Sequence, residues 1–178
     1  IGNSLTNSTS GAITYSGTPT ITMTGTGSIG GGTTGAISIY ALATSGTGTV
    51  TFTNGGTNSV ATNATVGSGT TLNINSSVTI TGNLINTTTG IINTTAGTPT
   101  VTVNGTSVGG GSGNLTFYNL TVGVAGTVTF SGSGTNTINN DFTVNAGTTL
   151  SVNNSVSVAG NFTNTSTGII TYSGTPTV

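Results

Sequence analysis

The chain predicts an all-β fold, and within that class a β-solenoid with coils of about 20 residues. Three observations carry the prediction. Apolar residues alternate with Thr, Ser or Asn through most of the 178 residues, the period-two pattern of strands with one buried face. The stretch 69–84 (GTTLNINSSVTITGNL) returns at 147–162 as GTTLSVNNSVSVAGNF, with mild exchanges such as Val152 for Ile74 and Val158 for Ile80. Internal repetition of this kind marks stacked or tandem architectures. No apolar i, i+3, i+4 series persists, so no helix is expected.

Composition removes several function classes. Lys, Arg, His, Cys and Trp are absent, and Asp141 is the one acidic side chain. Neutralising phosphates needs a basic surface, so no nucleic-acid partner is expected. The same absence removes attraction to anionic lipids. No apolar run approaches the roughly 18 residues of a membrane span. Without Cys there are neither disulfides nor thiolate metal sites. Low charge with much Gly, Ser and Asn is also a mark of disorder. Against that reading, Thr, Val and Ile are abundant and ordered in alternation, and β-branched residues favour strands. With no Lys or Arg there is no site for a trypsin-type protease, an asset outside a cell.

The repeat extends beyond the opening stretch. Segments 7–20 (NSTSGAITYSGTPT), 86–100 (NTTTGIINTTAGTPT) and 164–177 (NTSTGIITYSGTPT) are three copies of one sequence. GGG recurs at 30–32 and 109–111, and GTVTF at 48–52 and 126–130. The chain therefore reads as one continuous array over 1–178: a partial unit 1–6, units 7–85 and 86–163, and a partial unit 164–178. Solenoid ends normally carry atypical capping segments. The array begins and stops inside its repeat, and reads as an uncapped window of a longer array or a subunit joining others end to end.

In the second unit the strand signals fall at 90–93, 98–103, 114–122, 127–130, 135–144, 148–152 and 155–162, separated by Gly, Asn and Ser-Gly clusters. Two architectures hold such strands: a solenoid, or tandem β-sandwich modules of about 78 residues. Pieces 90–113, 114–125, 126–146 and 147–167 are of coil scale, with the second short enough for an insertion or half coil. Neighbouring pieces resemble one another and no polar linker marks a module boundary, so the solenoid is preferred. In it, 147–162 is expected to be the coil equivalent to 69–84 several layers along. Asn75/Asn153 and Val78/Val156 are then ladder positions, with Asn and Thr stacking through mutual hydrogen bonds. A charge repeated at strand spacing would repel its neighbour, which explains the missing ionisable residues. Gly supplies the positive φ needed at corners.

No motif carries catalysis. Acid–base chemistry normally takes a pair of carboxylates, and the counterpart of Asp141 one unit earlier is Asn63. A Ser or Thr nucleophile has no His or Lys to activate it. Repeat-type calcium sites need several Asp residues. GTGSIGGG and GTSVGGGSG lack the Lys and the following helix of a phosphate loop. The chain is expected not to be an enzyme, with no catalytic, cofactor-binding or metal-binding residue and no cofactor. Aromatics sit at equivalent positions (Tyr40 and Tyr118, Phe52 and Phe130, Tyr15 and Tyr172), as packing residues or as a carbohydrate-stacking track. Eleven Asn-x-Ser/Thr triplets occur where chance gives roughly eight. Asn7, Asn86 and Asn164 recur in all three copies and are the first candidates for glycans, with Asn75 and Asn153 next. Thr-x-Thr tracts at 20–24, 49–53 and 127–129 match the outward Thr face of ice-binding solenoids, but they also follow from general β-branched alternation.

With GNLTFYNLTV (113–122), GTVTFSGSGTNTINNDFTV (126–144) and GTTLSVNNSVSVAGNFTN (147–164) in view, the chain resembles the repetitive β-helical surface exoproteins, namely filamentous-haemagglutinin-like and autotransporter-type stalk repeats. The resemblance implies an extracellular, cell-surface fibre, adhesin stalk or sheath. The expected function is a structural subunit of an extracellular filament whose partner is itself, through end-to-end or donor-strand contacts at open β edges. The rival expectation is an adhesin binding cell-surface glycans, or ice, through repeated Tyr or Thr rows.

Overall fold

The computed structural model describes residues 1–7, 9–123 and 125–178. In chain order the strands are β1 (Leu5–Thr6), β2 (Thr20–Thr24), β3 (Gly27–Gly30), β4 (Ile37–Ile39), β5 (Ala41–Ser45) and β6 (Gly48–Phe52). Next come β7 (Asn58–Val60), β8 (Ala64–Val66), β9 (Thr70–Ile74), β10 (Val78–Ile80), β11 (Leu84–Asn86) and β12 (Ile91–Asn93). They continue with β13 (Thr100–Val103), β14 (Ser107–Val108), β15 (Leu115–Phe117), β16 (Asn119–Val122), β17 (Gly126–Phe130) and β18 (Asn136–Ile138). The last are β19 (Phe142–Val144), β20 (Thr148–Val152), β21 (Ser157–Val158), β22 (Phe162–Asn164) and β23 (Ile169–Tyr172).

These strands form three parallel sheets wound as a β-solenoid of about eight coils, each about 21 residues long. The first side runs β1-β3-β6-β9-β12-β15-β18-β21, the second β4 through β22, and the third β2 through β23. The chain visits first, second and third side in turn, and an isolated bridge from Ile13 to Ile37 of β4 gives the first coil its second-side contact. Register partners lie between 19 residues apart, as Val101 and Leu120, and 24 apart, as Leu5 and Ile29. Tandem sandwich modules are ruled out by the parallel pairing between successive coils.

The core is a set of inward columns. On the second side Ile39, Val60, Ile80, Val103, Val122 and Val144 follow one another in register, all 0–1% exposed. β-Branched residues suit such columns because their restricted χ1 packs against the same side chain one strand away. Burying each contributes about 1.5–3 kcal/mol. Aromatic rings pack together in the later coils: Phe142 stacks on Phe162 with centroids 5.0 Å apart and meets Phe130 at 6.2 Å. Glycine is obligatory where a corner presses on the next coil. Gly30 holds φ 127°, and a Cβ there would run into the backbone of Asn54.

Three sequence expectations change at the level of the coil. The signals at 114–122, 135–144 and 155–162 are each two strands meeting at a corner: β15 and β16, β18 and β19, β21 and β22. At 117–120 the reason is a break in the period-two phase, since Phe117 and Leu120 both point inward three residues apart. At Ile138 and Phe142, four apart, the phase is kept, but the position between them that would be inward is the half-buried, polar Asn140. The short piece 114–125 is therefore neither an insertion nor a half coil. It supplies the first and second sides of a coil whose third side is β17.

The third change concerns the repeat. The opening stretch contains β9 on the first side, whereas its copy contains β20 on the third. From β9 to β20 is eleven strands, or three and two-thirds coils at three strands per coil. Coil length is set by three strands and three corners, and 78 residues is not a whole number of such coils. The three copies of the Asn-to-Thr segment accordingly place Ile13 on the second side, β12 on the first and β23 on the third. The expected equivalence of 69–84 and 147–162 as stacked coils is overturned: Val78 pairs with Val101, and Asn75 bonds Thr95. Each unit is turned one side relative to the last.

The packing account predicts a sharp in–out contrast on one strand. Phe142→Ala should lower unfolding free energy by about 3–5 kcal/mol, against less than about 1 kcal/mol for outward Thr143→Ala, read by urea titration.

Candidate functional site: corner ladders, outward columns and open edges

Asn residues cluster at the corners, where backbone groups leave the sheet ladder and need other partners. Among the described residues, eight Asx side chains accept a backbone N–H from another coil through Oδ1: Asn7, Asn63, Asn75, Asn83, Asn86, Asn114, Asn119 and Asp141. In all eight the N–H belongs to the following coil. The column Asn119, Asp141, Asn161 is typical: Asn119 accepts from the Asp141 N–H at 3.1 Å and Asp141 from the Asn161 N–H at 2.8 Å. Asn63 does the same for the Asn83 N–H at 2.9 Å. Asp141 and its counterpart Asn63 thus perform one structural task through Oδ1, the acceptor atom that both side chains have. The expected like-to-like Asn stacking is largely replaced by side chain-to-backbone bonds, although Asn140 Nδ2 does donate to Asn119 Oδ1.

The recurrent Asn has a defined place. Asn7, Asn86 and Asn164 each donate Nδ2 to the carbonyl four residues on, at Gly11, Gly90 and Gly168, with distances of 3.0, 2.9 and 2.8 Å. Asn7 and Asn86 also accept from Gly32 and Gly111, within the two GGG corners. Amide hydrogens that a phosphate loop would aim at an anion are here bonded to Asn. Asn86 is 1% exposed and Asn7 6%. A glycan on either is incompatible with this packing, because the nitrogen to be modified is buried and bonded. Asn164 and Asn153 are exposed, and Asn75 is half-buried with Nδ2 donating to Thr95.

The outward faces divide the expected rows. Tyr40 lies at the corner between second and third sides, and Tyr118 at that between first and second. Tyr15 follows the second-side bridge, and Tyr172 ends β23 on the third side. Repeat-equivalent tyrosines are therefore turned away from one another, and no track forms from them. The contact that does form is between coil neighbours, Tyr15 and Tyr40, edge to face at 5.5 Å. Phe52 and Phe130 are buried on different sides. The Thr-x-Thr tracts also part: β2 and β17 lie on the third side and β6 on the first.

One row was missed in the sequence. The central outward position of the second side reads Ser38, Ser59, Thr79, Thr102, Thr121, Thr143, Thr163, in register through seven strands. A scan at 19–23-residue spacing would have found it. Beside it an open groove of about 580 Å³ is lined by Thr33, Thr57, Ser77, Thr79, Thr100 and neighbouring small residues. It holds neither an ionisable nor an aromatic side chain. No group of three or more metal-ligating side chains occurs among the described residues.

Ile169, Ile170 and Tyr172 of β23 are 55%, 39% and 76% exposed, and Ile1 is 46% exposed. Ile170 is an inward position, in register with buried Leu150. No protein-family model, curated protein or solved structure matches the chain.

The corner bonds give a paired prediction. Asn86→Ala orphans the Gly90 and Gly113 carbonyls and the Gly111 N–H. It should cost more than about 2 kcal/mol of unfolding free energy, since buried orphans cost about 1–3 kcal/mol each. Asn164→Ala, in the same motif on the open coil, should cost less than about 1 kcal/mol by the same titration.

Proposed function

We propose that the chain is a structural, non-enzymatic building block of an extracellular filament, fibre or sheath, extended through its open β edges. The observation that carries this reading is the coil-on-coil pairing: each coil takes its backbone partners from its neighbours in three parallel sheets of near-uniform build, so the same contact can be repeated from copy to copy. An uncovered parallel edge is a template for another strand, and a heterologous contact that does not close generates a filament. The near-absence of charge supports the same reading, since coils of neighbouring subunits meet without like-charge repulsion. An extracellular setting accords with the lack of trypsin-type cleavage sites.

A second reading, a surface adhesin stalk, has one observation in its favour: the hydroxyl column of the second side and the polar groove beside it. Cell-surface glycans or ice would be read there by hydroxyls alone, with no aromatic platform. Glycan-array binding or thermal hysteresis that is lost in Thr79→Lys/Thr121→Lys would favour it.

Electron microscopy of the purified protein decides the first reading. Filaments with an axial repeat of about 4.8 Å are expected, whereas monodisperse globular particles at all concentrations would contradict it. Assembly should be nearly independent of salt between about 0.01 and 1 M, because there is almost no charge to screen. A strong salt dependence in light scattering would count against uncharged edge pairing.

A further inference from the structure

The repeat builds the same groove twice, on different sides of the rod. The groove of about 580 Å³ includes Thr57, Asn58, Ser77 and Thr79 in its lining. A second groove, of about 540 Å³, is lined by their counterparts one unit on, Thr135, Asn136, Ser155 and Ser157. Corner length makes the hollow. In the first unit the three-residue corner 75–77 lies between corners 53–57 and 94–99 of the adjacent coils, five and six residues long. The short corner recedes between the longer two, and a hollow of about 240 Å³ continues the groove across it from Gly55 to Pro99. Both copies are braced in the same way. Asn58 and Asn136 are buried and donate Nδ2 to the Ser77 and Ser155 carbonyls, each at 2.9 Å. Ser77 Oγ and Ser155 Oγ accept from the Thr100 and Thr177 N–H groups on the far lip, again at 2.9 Å.

The lining selects a ligand class. The Thr57 and Thr79 hydroxyls, and those of Thr135 and Ser157, are exposed and have no partner within the chain among the described residues. Val78 and Val156 give each groove an apolar floor. Neither groove holds an ionisable or aromatic side chain, so an ionic ligand finds no counter-charge and a flat aromatic one no stacking partner. Both volumes fall within the range of about 300–1,000 Å³ typical of ligand sites. A sugar chain suits such a wall, exchanging hydroxyl bonds with it and laying C–H groups on the Val floor.

We propose that each unit carries at this groove one binding site for an uncharged polysaccharide. The inference rests on the adhesin reading, which it confines to a bounded site, and is independent of filament formation. The first groove opens at the corner between first and second sides, the second at that between third and first. Successive sites are therefore about 18 Å apart along the axis and about a third of a turn apart around it. Sites facing several ways hold separate strands of a polysaccharide matrix, and their linkage in one rod raises avidity.

Calorimetric titration of the whole chain with maltohexaose, cellohexaose and chitohexaose tests this. At least one of them should fill both grooves. Thr57→Val/Thr79→Val should remove the first site alone and Thr135→Val/Ser157→Ala the second alone, each halving the stoichiometry with the remaining affinity unchanged. These hydroxyls make no bond within the chain, so the variants keep the fold. Preferential binding of the charged hexagalacturonate would overturn the uncharged class. Binding that survives both groove pairs but is lost in Thr121→Val/Thr143→Val would keep the adhesin reading, place it on the hydroxyl column and overturn the groove. No binding of any of the three neutral hexaoses at about 10 mM, above the Kd of a weak site, would overturn both.

Discussion

The constraint on which the rest of the structure depends is that every coil must satisfy its backbone polar groups through the coils on either side. Strands of two to five residues have no partner within their own coil. Their N–H and C=O groups pair upward and downward, so one coil alone has no stable form. The composition follows from this. Side chains stand in columns at strand spacing, where like charges would repel and where Val, Ile, Thr and Ser pack on themselves. Corners bring backbone against backbone, which excludes Cβ at positions such as Gly30 and Gly109. Amides that leave the ladder at those corners are met by Asn oxygens.

Much of this was legible in the sequence because period two, Gly-rich corners and missing charge are local properties. The solenoid, its coil length and the inward set of Val, Ile, Leu and Phe needed nothing more. Two things were hidden. The strand pairs at Phe117/Leu120 and Ile138/Phe142 looked continuous, although the first loses its alternation phase and the second puts the polar Asn140 where an inward apolar residue would stand. The relation between unit and coil was also hidden, since sequence identity suggests that copies stack. The 78-residue repeat and the coil of about 21 residues are incommensurate, so the copies part company. The Asx acceptors were visible as Asn-rich turns, but their common direction is a property of coil order and could not be read from composition.

That mismatch has a bearing on function. A surface that reads one flat face would be served by a repeat equal to a whole number of coils. Here the unit turns by one side each time, and its features are distributed around the rod. Tyr40 and Tyr118 show it, as do Asn7, Asn86 and Asn164. The second-side hydroxyl column persists because Ser or Thr holds the central outward position in nearly every strand, independent of the repeat.

The central claim is that coil stacking, not unit identity, sets the geometry, and its most direct test is helical reconstruction of a tandem array of three units by electron cryomicroscopy. Stacked coils predict a rise of about 18 Å per unit with a rotation of about one third of a turn. The same unit would return to the same side after eleven coils. Units related by translation alone, with each copy directly above the last, would contradict the account.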